Sequence, residues 1–159
     1  MKVIDGHNHF YPPEYLDALR SGKSVVKVTT DSEGNPHIHY PGDYNLPVAG
    51  HRDIAYRQEV LEKEGVDTQV ITLTTPGTHV ESPDYAVYLA SLTNDAFARI
   101  VAERGPRFAA LATLPLNDPS ASVKEMRRAM EQLHFPGAML FSNVNGIALA
   151  DRRFWPLYE

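Results

Sequence analysis

The sequence Val3-Ile4-Asp5-Gly6-His7-Asn8-His9-Phe10-Tyr11-Pro12-Pro13 sets the pattern of the fold, because an apolar, strand-like opening ends here in polar residues and two prolines. Residues two apart on an extended strand point to the same face, so we expect the side chains of Asp5, His7 and His9 to lie together. Two imidazoles at a strand end can chelate one divalent metal ion, and Asp5 could orient a ligand or serve as one. The stretch therefore predicts a metal site at the end of the first strand.

A second pair of histidines, His37 and His39, has the same spacing. It lies in the β-prone run 36–40, which follows another β-prone run, 24–30, across a loop of about five residues. We interpret residues 24–40 as a β-hairpin insertion. In this interpretation His37 and His39 share one face of a ribbon and have no metal role.

The composition is typical of one globular domain, with 159 residues, 43% of them hydrophobic, and a formal net charge of -5. Lysine and arginine are scattered singly, which argues against nucleic acids and anionic membranes as partners. The chain has no cysteine, so a metal ion would need nitrogen and oxygen ligands. Neither a basic leader nor an apolar run of about 18 residues occurs, so we expect a cytoplasmic protein without a membrane span.

Strand and helix patterns alternate along the chain. The predicted strands after the hairpin are 68–75, 108–114 and 137–141; the predicted helices are 14–20, 54–64, 83–103, one from 118 and one from 151, and 41–50 is interpreted as a loop. Such alternation specifies parallel strands joined by helices. No glycine-rich phosphate loop follows the first strand, which disfavours a nucleotide-binding sheet. An eight-stranded barrel needs roughly 250 residues, so the expected fold class is α/β, a partial TIM (β/α)8 barrel of about four βα units with a small β-hairpin insertion.

Several motifs, each weak alone, occur in an order typical of a known family. They are Ile4-Asp5-Gly6-His7-Asn8-His9-Phe10, Glu64-Gly65-Val66, Asn94-Asp95, Arg107-Phe108-Ala109-Ala110-Leu111-Ala112-Thr113-Leu114-Pro115, Phe135-Pro136-Gly137-Ala138 and Phe154-Trp155-Pro156-Leu157-Tyr158-Glu159. On these motifs the chain resembles the amidohydrolase-2 family of metal-dependent TIM barrels, and within it decarboxylases of the 2-amino-3-carboxymuconate-6-semialdehyde decarboxylase type. The resemblance implies that residues 1–159 are the amino-terminal portion of a single barrel domain.

The resemblance also implies a function. His7 and His9 would bind a catalytic divalent metal, expected to be zinc, with Asp5 behind them, and the substrate would be an aromatic or unsaturated carboxylic acid that loses carbon dioxide. The family's other metal ligands and its proton-transferring residues come from later strands, so no catalytic acid or base is assigned. Two histidines alone make a poor zinc site, and we expect the isolated chain to bind metal weakly or not at all. Because 137–141 contains no lysine, the resemblance favours a mononuclear site.

Residues near the predicted strand ends are candidates for a substrate pocket by position alone. They are Phe10, Thr75, Phe141, Ser142 and Asn143. Close members of the family carry an arginine that binds a substrate carboxylate in the loop before the first long helix. No arginine lies between Pro36 and Gly50, and Arg52 is the nearest substitute.

Two other functions share all of these residues. One is a metal-dependent hydrolase that opens a cyclic amide or lactone, and the other is a truncated half-barrel without activity. A half-barrel exposes two strand edges and apolar faces, so we also expect a homo-oligomer that buries them.

Overall fold

The computed structural model describes residues 1–159 and contains twelve strands and α-helices. In chain order they are β1 (Ile4–Asp5), α1 (Pro13–Arg20), β2 (Lys27–Thr30), β3 (Pro36–Tyr40), β4 (Asp43–Asn45), α2 (Ile54–Lys63), β5 (Thr68–Ile71), α3 (Pro83–Arg104), β6 (Phe108–Ala110), α4 (Pro119–Glu131), β7 (Asn143–Val144) and β8 (Ile147–Ala148). Two short 3-10 helices occupy Ala49–His51 and Arg152–Leu157. None of the helices combines the length and the apolar character that crossing a bilayer requires.

The central sheet is parallel and contains β1, β5 and β6 in that order. A single parallel bridge between Ala112 and Ala138 continues it beyond β6, with the Met139 N–H donating to the Ala112 carbonyl over 2.9 Å. The architecture is therefore mixed α/β with a parallel sheet, as the alternating pattern predicts. The strand predicted at 137–141 is reduced to this bridge, because it pairs on one side only and the chain soon turns into the β7–β8 hairpin.

The helices begin at the capping signals in the sequence. The Asp53 carboxylate accepts hydrogen bonds from the main-chain N–H groups of Ala55 (2.9 Å) and Tyr56 (3.0 Å) at the start of α2. The Asp118 carboxylate accepts one from Ala121 (2.9 Å) at the start of α4. The first four predicted helices are confirmed, whereas the segment from 151 forms a 3-10 helix with Pro156 inside it, where proline cannot donate the main-chain hydrogen bond that an α-helix needs.

The insertion after α1 is larger than the hairpin that the sequence predicts. Strands β2, β3 and β4 form a three-stranded antiparallel sheet, which we call the ribbon. Strand β4 lies in the segment interpreted as a loop, and the two-residue turn Pro41-Gly42, with Gly42 at φ 88°, joins it to β3. The β7–β8 hairpin, with Asn145-Gly146 at its turn, is likewise absent from the sequence prediction. Both strand pairs are too short to produce a visible alternation of side chains.

The apolar core lies between one face of the parallel sheet and the helices. Ile71 and Phe108 of the sheet pack with Leu89 and Phe97 of α3 in this core. The opposite face of the sheet is less covered, and the outer edge of β1 has no neighbouring strand. Ile4 on that edge is 58% exposed, so an apolar surface of the sheet remains open in this chain.

Candidate metal centre

The two histidines of the opening motif lie just beyond β1, where the pairing with β5 changes register. Asp5 pairs with Gln69, whereas the Phe10 N–H donates to the Thr72 carbonyl over 2.8 Å, which places His9 beside Thr72. The offset in residue number between the two paired segments therefore falls from 64 at Asp5 to 63 at His9, so the segment after β1 contains one extra residue between these positions. Because Gln69 and Thr72 are three residues apart and point to opposite faces, Asp5 does not share the face of His9, and simple alternation was wrong on this point.

The imidazole of His9 is fixed by Thr72. Its Nδ1 lies 3.0 Å from the Thr72 Oγ1, and the Thr72 hydroxyl donates its proton to the Asn8 carbonyl over 2.7 Å. A hydroxyl has a single proton, so the Thr72 oxygen accepts from the Nδ1–H of His9. This tautomer leaves the lone pair of the His9 Nε2 free to bind a metal ion.

The ring of His7 lies beside that of His9. The ring centroids are 5.1 Å apart and the planes meet at 72°. Asp5 holds the main chain here, because one of its carboxylate oxygens accepts the His7 N–H over 3.2 Å and the other accepts from the Gln69 side chain over 2.6 Å. Asp5 therefore supports the loop that carries the histidines and forms no hydrogen bond with their rings.

The electrostatics keep His9 neutral. Burial lowers the pKa of His9 below its ordinary value of 6.5, and the neighbouring His7, His51 and Arg57 lower it further. A neutral imidazole is the form that binds a metal ion, so this environment suits a ligand. His7 and His9 thus fit two positions of a metal site. No group of three histidine or acidic side chains converges in this chain as a metal ion requires.

Two further residues at this site were not recognised in the sequence as functional. Thr72 orients the His9 ring, and Arg57 of α2 donates to the His9 carbonyl over 2.6 Å. The signal for Arg57 was present, since it occupies the core-facing stripe of a helix between Ile54 and Leu61 and only 7% of its surface is exposed. A charged residue at a core position is unusual enough to mark a functional or structural site.

The candidate pocket residues lie in different environments. Phe10 is fully buried in the core, with the Arg57 guanidinium 5.4 Å from its ring centre. Thr75 is half-buried and Phe141 packs against the ring of His79, with ring centroids 4.8 Å apart. Ser142 and Asn143 are exposed beside the β7–β8 hairpin.

Arg52 is occupied elsewhere. It donates to the side-chain oxygen of Asn35 over 2.9 Å and to the carbonyl of Pro47 over 3.2 Å. These bonds attach the ribbon to the segment before α2. The arginine therefore has a structural role in this chain through its Nε and Nη2 groups.

The loop 75–81, which follows β5, is held in place by side chains from several surrounding segments. They donate hydrogen bonds to main-chain carbonyls of the loop: Tyr11 and Asn45 to Thr75, Tyr15 to Gly77, Asn145 to His79 and Asn117 to Glu81. Burial raises the pKa of Tyr11 and of Tyr15 well above 10, so both hydroxyls keep their protons. The loop is therefore a rigid rim beside the half-buried Thr75 and Phe141.

The largest cavity, about 420 Å³, is not at the histidine pair. Its apolar wall includes Val48, Tyr56 and Val60, and its polar wall includes His51 and Arg57. The cavity lies beside α2, and neither His7 nor His9 lines it.

Comparisons with known proteins identify the family to which the chain is similar. A model of the amidohydrolase family matches residues 4–159. A 2-amino-3-carboxymuconate-6-semialdehyde decarboxylase from Dictyostelium discoideum is 36% identical over 104 residues, which are 65% of this chain and 29% of that protein. A gamma-resorcylate decarboxylase from Rhizobium radiobacter is 32% identical over 145 residues, 89% of this chain and 42% of that protein.

A solved structure has the same fold. The dihydroxybenzoic acid decarboxylase from Polaromonas sp. JS666, with bound manganese and the inhibitor 2-nitroresorcinol, matches with a TM-score of 0.73 and 22% identity. The match covers 99% of this chain and 46% of that one. The chain thus spans less than half the length of each of these relatives.

Proposed function

The chain belongs to the amidohydrolase family, and from this premise we propose that it forms the amino-terminal portion of a metal-dependent, nonoxidative decarboxylase. The proposed substrate is a small aromatic or unsaturated carboxylic acid. One observation carries the proposal: the rings of His7 and His9 lie 5.1 Å apart just beyond the first parallel strand. The decarboxylases among its relatives support the choice of reaction.

In the proposed architecture, residues 1–159 supply the first four βα units of one eight-stranded barrel, and residues 24–40 belong to an insertion. The strand order β1, β5, β6 and the bridge at Ala138 support this arrangement, because consecutive barrel strands are neighbours. The open edge at Ile4 is where a further strand would pair. Alone, the chain would bury this edge by forming a homo-oligomer.

The proposed metal ligands are the Nε2 atom of His9 and the imidazole of His7. The tautomer of His9 and its lowered pKa support this role. Further ligands would come from a segment equivalent to the part of the longer relatives that this chain does not match. The resemblance implies zinc, and the manganese in the Polaromonas structure supports a divalent ion without selecting zinc.

In this proposal, decarboxylation breaks the bond between the substrate carbon and its carboxylate, carbon dioxide leaves, and the electron pair remains on the carbon until a proton arrives. A bound divalent ion supplies positive charge that stabilises the negative charge on the substrate. The residues of this chain orient the site: Thr72 holds the His9 ring and Asp5 holds the His7 main chain. Thr75 and Phe141 are the proposed rim contacts of the substrate.

The metal role is tested by titrating the protein with Mn²⁺ and recording NMR line broadening, which detects weak binding. Signals of His7, His9 and Thr72 are expected to broaden first. The ribbon histidines His37 and His39, with ring centroids 6.2 Å apart, are the matched control pair. Alanine at His7 or His9 should remove the preference. Equal broadening of both pairs in the unmodified protein would refute the assignment.

The reaction is tested by co-expressing this chain with the unmatched portion of the Rhizobium radiobacter relative and supplying 2,6-dihydroxybenzoate with Mn²⁺. Carbon dioxide release that disappears in His9→Ala is the expected result. An assembled complex that opens a lactone and releases no carbon dioxide would replace the decarboxylase proposal with a hydrolase.

A further inference from the structure

The main chain that carries the two histidines is not held by regular strand pairing. Regular pairing of β1 ends at Asp5, and the extra residue before His9 interrupts the ladder. The Asn8 side chain fills part of the gap, because its Nδ2 donates to the Val70 carbonyl over 2.8 Å. With no strand on the other side of β1, side chains hold the segment 7–9: Thr72 donates to the Asn8 carbonyl over 2.7 Å, Asp5 accepts the His7 N–H over 3.2 Å, and a third side chain contributes more contacts than either.

The guanidinium of Arg57 contacts this segment at several points. Its Nη1 donates to the Asn8 side-chain oxygen over 2.5 Å, and its Nη2 donates to the His9 carbonyl over 2.6 Å. Its Nη1 also donates to Gln69 over 3.1 Å, and Gln69 in turn donates to Asp5, which accepts the His7 N–H. Arg57 therefore connects, directly or through two side chains, to residues 7, 8 and 9.

Two features make this arrangement unusual for an arginine. The side chain is 7% exposed, and its Nε donates to the Gly50 carbonyl over 2.5 Å, so all four of its acceptors are neutral. No carboxylate forms an ion pair with it. Asp5 acts on Arg57 only at longer range, through Gln69. Burying a cation without a carboxylate in direct contact is costly, whereas a neutral side chain could fill the space at lower cost. The several donors of a planar guanidinium are what the position requires.

We propose that Arg57 is a positioning residue that replaces the interrupted strand ladder and holds His7 and His9 in the geometry that binds a metal ion. The inference rests on the proposed metal role of the two histidines. It assigns to Arg57 no contact with metal or substrate. Its effect on binding passes through the main chain of residues 7–9 and the Asn8 side chain.

The first arm of the test needs no metal. Amide hydrogen exchange is measured at Phe10 and Tyr11, whose N–H groups donate to Thr72 and His51, and at Leu111 in the sheet as an internal reference. In Arg57→Met, exchange at Phe10 and Tyr11 should accelerate at least tenfold relative to Leu111. The control is Arg128→Met, which breaks a half-buried network with Glu125 and Asp95 on another face and should leave the ratio unchanged.

The second arm measures Mn²⁺ affinity from the broadening at His7 and His9. Arg57→Met should weaken it at least fivefold at equal folded fraction, Arg57→Lys should retain part of it, and Arg128→Met should not alter it. If Arg57→Met does not fold, Asn8→Ala removes one acceptor of the same network and should move both readouts in the same direction. An unchanged exchange ratio in these variants overturns the inference. If the unmodified protein shows no preference of Mn²⁺ for the two histidines, the proposed metal role fails, and the exchange arm still decides what Arg57 holds.

Discussion

Replacing Asn94 should damage the fold more than any surface change, because this side chain joins three elements in the interior. Asn94 is fully buried in α3. Its Nδ2 donates to the Thr113 carbonyl (2.9 Å) and to the Glu125 carboxylate (2.6 Å), and its Oδ1 accepts the Thr113 N–H over 2.8 Å. The amide thus ties α3 to α4 and to the segment after β6.

The magnitude follows from these contacts. Asn94→Ala removes three hydrogen bonds and leaves the main-chain N–H and C=O of Thr113 without a partner, and each unpaired buried group costs about 1–3 kcal/mol, so about 2–6 kcal/mol together. We expect the free energy of unfolding to fall by about 3–5 kcal/mol, a large part of a typical total of about 5–15 kcal/mol. Urea denaturation followed by circular dichroism measures the change. Asn143→Ala, at an exposed asparagine, is the control and should cost under about 1 kcal/mol.

Asn94→Asp gives a sharper test, because it keeps the shape and the acceptor for Thr113 but places a second carboxylate against Glu125. Two adjacent carboxylates raise the pKa of one of them in the folded state, so the folded protein binds more protons than the unfolded chain. The deficit in stability relative to the unmodified protein should therefore shrink as the pH falls from about 7.5 to about 5.5. A cost below about 1 kcal/mol for Asn94→Ala, or a deficit of Asn94→Asp that does not change with pH, would refute this account.

Three further predictions concern other parts of the molecule. Burial lowers the pKa of His79 below 6.5, so the unfolded chain binds the proton more readily than the folded protein. The free energy of unfolding should therefore fall as the pH drops below 6.5, by up to about 1.4 kcal/mol per pH unit. In urea titrations His79→Leu should reduce this dependence on pH, and His39→Gln, at an exposed histidine, should not. Asn45→Ala removes the bonds from the ribbon to Tyr11 and Thr75, so chymotrypsin should cut after the exposed Tyr44 several-fold faster, and an unchanged rate would contradict this attachment. Ile4→Lys places a charge on the open edge of β1 and should shift sedimentation profiles toward smaller species, whereas an unchanged profile would show that the edge does not mediate association.

Local patterns were sufficient for the regular elements. Helix α2 begins at the Asp53 cap and ends before Gly65, whose φ of 68° suits glycine, and both signals are visible within a dozen residues of sequence. The pairing of His7 with His9 was also visible, because both lie within one short segment. The sequence did not reveal three other features: strand β4, the β7–β8 hairpin and the shortening of the segment 137–141. Strands of two or three residues depend on their neighbours more than on their own pattern.

The candidate site also has some features that are visible in the sequence and others that depend on tertiary contacts. The sequence determined by itself that two histidines lie close together after an apolar strand, that parallel strands alternate with helices, and that no cysteine is available as a ligand. Only the tertiary structure decided that Asp5 holds the main chain while Thr72 orients the ring of His9, and that Arg57 donates to Asn8 and to the His9 carbonyl. The physical reason is that a one-residue shift in strand register reverses the face on which a side chain lies, and such a shift is set by contacts between segments more than 60 residues apart.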